Sequence, residues 1–127
     1  MPIEDIDTLL SKPNHAIVGI NRAVGAPQLT VVWYLWDGKS FSFSTTKDRA
    51  KYLNLKRDPS ISLLVDNLEE GWYVVAYGQA EINEQDADFS RRLFRKYLPE
   101  DPRAQHGDND PNRVMVVVFP EKIITGH

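Results

Sequence analysis

Cysteine is absent from the 127 residues. That one absence excludes disulfides, thiolate zinc sites, iron–sulfur clusters and a cysteine nucleophile, and it fits a reducing compartment. Long apolar runs are missing too, since no stretch approaches the length of a membrane span. The first ten residues carry Glu4, Asp5 and Asp7 without one basic side chain, the reverse of how a signal peptide opens. These features predict a soluble, cytoplasmic protein with no membrane partner. Histidine is scarce: His15, His106 and His127 lie far apart in no metal-ligand spacing. His15 reads as a surface or satisfied residue, and His127 as a mobile terminal one. Asp101, Asp108 and Asp110 lack the calcium-loop pattern, so no metal is expected. There is no G-x-S-x-G elbow, Walker loop or G-x-G-x-x-G.

What is present is ordinary globular usage, 42% hydrophobic and 26% charged. The length suits one domain over residues 1–127, with roughly two thirds of the unfolded surface buried. A net charge of -3 gives no general attraction to nucleic acid.

Ile3 to Leu10 suits a short helix with Ile6, Leu9 and Leu10 on one side. His15 to Arg22 reads as a strand, and Val24 to Pro27 as a turn. Gln28 to Trp36 is dense in β-branched and aromatic residues, which predicts a second strand. Asp37-Gly38 predicts a type I′ hairpin, whose central residues both need φ > 0, leading into an alternating strand over Ser40 to Thr45. The period then changes. Thr46 to Arg57 has helix formers and stops before Pro59, with Thr45 and Asp48 spaced as a capping box. Ser60 to Asp66 and Trp72 to Ile82 form another hairpin, in which Gly78 marks a bulge or a close backbone approach. Gln85 to Leu98 predicts an amphipathic helix burying Phe89, Leu93 and Leu98. Pro99 to Asn112 reads as a polar loop, and Arg113 to Phe119 as a last apolar strand. Antiparallel hairpins dominate, which disfavours a βαβ dinucleotide fold.

Positive charge is concentrated in one place. Lys47, Arg49, Lys51, Lys56 and Arg57 oppose a single acid, Asp48. The segment begins where Ser44-Thr45-Thr46 ends a strand and a helix starts, so hydroxyls and free N–H groups can join the cations around an anion. A capping box followed by a solvated basic face explains the same residues. Side chains two apart on a helix do not face the same way, so Arg49 and Lys51 share one anion only if Arg49 lies in the entry turn. Trp33, Tyr34 and Trp36 read as core, with Trp33 and Tyr34 on opposite faces. Trp72 suits a cleft, a dimer seam or the core.

The run from Ser40 to Asp66 resembles the signature of the pyridoxamine 5'-phosphate oxidase-like split-barrel proteins. The matching residues are Thr45-Thr46, Arg49-Ala50-Lys51, Asn54-Leu55-Lys56-Arg57-Asp58-Pro59 and the apolar Ile61 to Val65. Pro27 to Thr30, Gly71-Trp72 and Gly78 to Glu81 extend the likeness over most of residues 14 to 124. The resemblance implies a mostly β protein with helices: a six-stranded antiparallel split β-barrel with peripheral helices, acting as a homodimer whose cofactor site is shared between subunits. Spacing and length look most like the branch that binds the deazaflavin coenzyme F420, with FMN the competing cofactor. By resemblance, Arg49, Ala50 and Lys51 hold the cofactor phosphate with Ser44, Thr45 and Thr46 around it. Thr30, Val31, Val32 and Trp33 lie against the ring system, and Trp72 and Gln79 reach the partner's cofactor. Lys56 and Arg57 meet an anionic tail.

The implied function is an F420-dependent oxidoreductase that passes hydride to a small organic substrate. The alternatives are an FMN-dependent oxidase or reductase and a non-catalytic flavin- or haem-binding protein. No side chain stands out as an acid or base, so protons are expected from water or Tyr77. A nucleic-acid partner is not expected, because the chain is acidic and RNA motifs are missing.

Overall fold

The structure, a computed structural model, describes residues 5–108 and 110–126. Ile3, Glu4 and His127 lie outside the described residues. The described chain runs α1 (Asp5–Leu10), β1 (Ala16–Ile20), β2 (Gln28–Val32), β3 (Tyr34–Trp36), β4 (Phe41–Thr46) and α2 (Ala50–Arg57). It continues through β5 (Ser60–Asn67), β6 (Trp72–Glu84), α3 (Ala87–Tyr97), α4 (Arg103–His106) and β7 (Arg113–Gly126). All seven strands join one antiparallel sheet in the order β2-β1-β5-β6-β7-β4-β3. The sheet curls into a half-barrel. The mostly β split-barrel architecture expected from the sequence is present.

Period-two alternation decides which side chains fill it. Val18 and Ile20, Ile61, Leu63 and Val65, Val74 and Ala76, Phe41 and Phe43, and Val116 and Val118 all turn inward and form one buried cluster. α1 adds Ile6 and Leu10 to that cluster.

The strand expected over Gln28 to Trp36 is instead two, and this is why seven strands form rather than six. β2 stands at one end of the strand order and β3 at the other, although only Trp33 separates them. The chain itself crosses the split of the barrel at that residue. Alternation cannot reveal such a crossing, because hydrophobic character continues through it. The backbone groups freed there are satisfied from α3. The Tyr34 N–H donates to the Tyr97 hydroxyl at 3.1 Å, and that hydroxyl donates to the Asn14 carbonyl at 2.8 Å. Lys96 Nζ donates to the carbonyls of Leu10 and Tyr34 at 2.9 and 3.0 Å.

Burial lowers the Lys96 ammonium to about 8, below its ordinary value near 10.4. The folded protein therefore releases this proton before the unfolded chain does. Stability should rise with pH from about 8 toward 10. Above about 10 it should fall again, because burial raises the Tyr34 and Tyr97 phenols while unfolded tyrosines begin to ionise. Urea midpoints across that range check the sign, and Lys96→Met should flatten the rise.

Gly78 sits at the register shift between β6 and β7. A Cβ there would collide with the Phe119 carbonyl, so the close approach expected from the sequence is real. Other local expectations are corrected. Among the described residues no non-glycine has positive φ, so the type I′ turn is absent. Asp37 Oδ1 accepts instead from the N–H groups of Lys39 and Ser40 at 2.8 and 2.7 Å. The capping box does not form either: α2 begins at Ala50 behind Arg49, with no side-chain cap. Leu98 ends α3 exposed rather than buried, and the expected polar loop contains α4.

Candidate functional site

A cleft of about 330 Å³ lies where β2 gives way to β3, roofed by α3. The volume falls at the lower end of the range for small-molecule sites. One wall is Val31, Val32 and Trp33. Opposite it, α3 contributes Ser90, Leu93 and Phe94, positioned by Asp86, whose carboxylate accepts from the Phe89 N–H at 2.9 Å at the helix start. Trp33 stacks on Tyr97 at 4.9 Å with an interplanar angle of 4° and meets Phe94 edge-on at 5.4 Å. The residue at the barrel split therefore also forms the wall of the cleft.

The polar end is built by three elements. Strand alternation turns Thr45 into the barrel, where its hydroxyl is buried without a partner, and leaves Ser44 facing the cleft. Arg113, across β7, donates from Nη1 to Ser44 Oγ at 3.1 Å. Lys51, in the first turn of α2, completes the group. Its ammonium is held below the ordinary value by burial and then by the neighbouring Arg49 charge. Neither Lys51, Arg49 nor Arg113 has a carboxylate within salt-bridge distance among the described residues. Lysine, arginine and a hydroxyl with a proton still to donate make a donor set suited to phosphate.

The sequence-derived residues are thus only partly brought together. Val31, Val32, Trp33, Ser44 and Lys51 line one cleft. Thr30 lies on the same strand, and Thr46 shares the Ser44 face of β4. Arg49 and Ala50 are exposed at the helix entry. Lys56 and Arg57 lie on other sides of α2. Arg57 binds the Asn21 carbonyl at 2.7 Å and Asn54 Oδ1 at 3.0 Å, and Lys56 sits over the Tyr52 ring, 5.4 Å from its centroid.

Trp72 is 5% exposed within the barrel core. Its indole donates to Glu70, which also binds Lys12. Gln79 lines a separate groove with Tyr77 and Glu121, so Tyr77 is not in the cleft either. Sequence reasoning missed Arg113, Phe94 and Tyr97, which lie far along the chain from the basic turn. It set aside His15, which stands at the cleft mouth near Tyr97. The only available signal for Arg113 was a lone cation opening an apolar strand.

A family model described as pyridoxamine 5'-phosphate oxidase matches residues 3–125. The chain belongs to that family. Among solved structures, an F420 reductase is 27% identical, with 93% of this chain and 94% of that one covered and a TM-score of 0.74. General Stress Protein 26 from Bacillus anthracis str. Sterne has 19% identity, coverage of 96% and 91%, and a TM-score of 0.72. A pyridoxamine 5'-phosphate oxidase-related, FMN binding protein from Nostoc punctiforme has 11% identity, coverage of 88% and 73%, and a TM-score of 0.65. The last two share the fold. Membership of the pyridoxamine 5'-phosphate oxidase family places this chain with oxidoreductases that bind flavin-type cofactors. No helix among the described residues is long and apolar enough to cross a membrane.

Proposed function

We propose that the protein is a cytoplasmic, homodimeric oxidoreductase that binds coenzyme F420 in the α3-roofed cleft and transfers hydride to a small organic substrate. The observation that carries this reading is that two cations, Lys51 and the Ser44-bound Arg113, line one cleft with the Val31–Trp33 wall. Burial and the Arg49 charge disfavour the Lys51 ammonium. Asp108 in the same cleft lies outside salt-bridge distance of Lys51 and Arg113, and a cofactor phosphate would supply the missing negative charge. The 27% identical F420 reductase supports deazaflavin. When bound, the reduced deazaflavin supplies the hydride. Lys51, Arg113 and Ser44 hold the phosphate. Val31 to Trp33 would form the wall beside the ring, and Leu93 and Phe94 the apolar roof opposite it. Tyr77 lies in another groove, which leaves water as the proton source.

A second reading, FMN as the cofactor, is favoured by one observation. Arg57 is already bound to Asn21 and Asn54, which leaves Lys56 alone to meet a glutamate tail. Parallel titrations separate the two. Tighter binding of F420 than FMN, a salt-sensitive excess affinity and its selective loss in Lys56→Glu are expected. Tighter FMN binding would replace the first reading with the second, and absence of binding by both would reject each.

The dimer is supported by the outer face of the sheet. Leu29, Val31, Ile17, Tyr73, Tyr77 and Ile124 are exposed there across adjoining strands. Such a contiguous apolar surface suits isologous pairing. Gln79, with Tyr77 on the same strand, would approach the partner's cleft. Sedimentation at micromolar concentration should give a dimer, and a stable monomer there would remove the shared site.

A further inference from the structure

On the side of α3 away from the cleft, a second and shallower groove of about 390 Å³ runs between α1, β3 and the helix. We propose that it binds a small aromatic anion, a ring carrying phosphate or carboxylate, independently of the cofactor cleft. Its residues are Arg92, Arg95 and Lys96 from α3, Leu35 and Trp36 from β3, and Ser11 after α1. The three cations stand at i, i+3 and i+4, so they share one face of the helix. Among the described residues no carboxylate lines the groove, and the nearby Asp7 carboxylate is taken up by the Trp36 indole N–H.

Contacts within α3 and to its neighbours only partly offset this concentration of charge. Asp88 Oδ2 lies 3.1 Å from Arg92 Nε, while Oδ1 of the same carboxylate takes Arg91, so one negative charge is shared by two guanidinium groups. Arg95 Nε is bound to the Ala104 carbonyl at 2.9 Å and the Lys96 ammonium to the carbonyls of Leu10 and Tyr34, so the donors left for a ligand are chiefly the guanidinium groups of Arg92 and Arg95. Neither Arg95 nor Lys96 has a carboxylate within salt-bridge distance among the described residues. Like charges at these spacings destabilise a helix. The dipole at the end of α3 welcomes Arg95 and Lys96, but it does not reach Arg92, which lies near the helix middle. The remaining guanidinium N–H groups are directed donors suited to a tetrahedral or planar oxyanion.

The opposite wall specifies the rest of the ligand. The Trp36 indole is fixed twice, by its N–H donating to Asp7 Oδ1 at 2.7 Å and by Phe41 behind it, ring centroids 4.6 Å apart. A rigid indole beside Leu35 offers a flat apolar surface that loses little freedom on binding. Cations on one side and an aromatic plane on the other match a ligand that is flat at one end and anionic at the other.

Phenyl phosphate is the probe, titrated calorimetrically and followed by the Trp36 indole N–H resonance. Binding to the wild type and to Lys51→Ala should be equal, because Lys51 lies in the other cleft. Arg92→Gln/Arg95→Gln should weaken it tenfold or more while the variant still melts cooperatively, the loss of the Asp88 and Ala104 contacts opposing the relief of like charge. Inorganic phosphate should bind at least tenfold more weakly than phenyl phosphate. Loss of binding in Lys51→Ala would assign the probe to the cofactor cleft and overturn the proposal. So would equal affinity in the double variant, equal affinity for inorganic phosphate, or no binding to the wild type.

Discussion

Lys51→Ala is expected to weaken cofactor binding by about tenfold to a hundredfold while leaving the apo protein as stable as before. A charge-assisted contact contributes roughly 1.5–3 kcal/mol, and each 1.4 kcal/mol is about a factor of ten in affinity. Two observations make the stability half of the result sharp. Burial and the Arg49 charge already disfavour the Lys51 ammonium, so its removal relieves an unfavourable term. It also has no carboxylate partner to leave behind among the described residues. Titration of F420 and FMN together with thermal melts of the apo form checks both halves. Retained affinity for the bound cofactor would place the phosphate elsewhere. A large fall in melting temperature would make Lys51 a structural residue. Arg49→Ala should have the smaller effect on binding, because Arg49 is exposed at the helix entry.

Tyr97→Phe should produce the largest loss of stability available from the deletion of a single oxygen. The phenol receives the Tyr34 N–H and donates to the Asn14 carbonyl, so its removal leaves both without their partner at the split of the barrel. Unpaired buried groups cost about 1–3 kcal/mol each. A fall in melting temperature of about 5 °C or more follows for a domain of this size. The phenyl ring keeps the stack on Trp33, so loss of packing does not confuse the measurement. Tyr97→Leu removes the stack as well and should fall further. If Tyr97→Phe melts with the wild type, solvent reaches the split and satisfies those groups.

Much of this fold was legible because alternation is a local signal. The strands over Ser40 to Thr45, Ser60 to Asp66 and Trp72 to Ile82 each bury one face, and Gly78 marked the close approach to Phe119. The family motif carried Ser44 and Lys51 to the cleft. What escaped depends on contacts between distant residues. Nothing in Gln28 to Trp36 says that its two halves belong to opposite edges of a sheet, and nothing near Arg113 says that it will meet Ser44. Trp33 read as core from its strand and as a wall for the ring from the family likeness, but neither reading says that the strands part at it. Arg57 read as a ligand for an anionic tail because charge is visible in a sequence, whereas the Asn21 carbonyl that takes it is not. His15 was set aside as a surface or satisfied residue at a strand start, and its place beside Tyr97 comes from the docking of α3, which no local signal announces.

The place of β7 in that order has a consequence for synthesis. β7 comes after every other strand in the chain, yet it stands between β6 and β4 and pairs with both. A ribosome adding about 5–20 residues per second releases β4 long before its partner exists. Throughout that interval Phe41 to Thr46 is a strand with one edge unclaimed. The serines and threonines that alternate with its phenylalanines keep its outer face polar while it waits. Only when β7 arrives can β4 and β3 close over the core and bring Trp33 to Tyr97. Protease resistance in arrested nascent chains should therefore appear abruptly, once β7 clears the exit tunnel, rather than build up strand by strand.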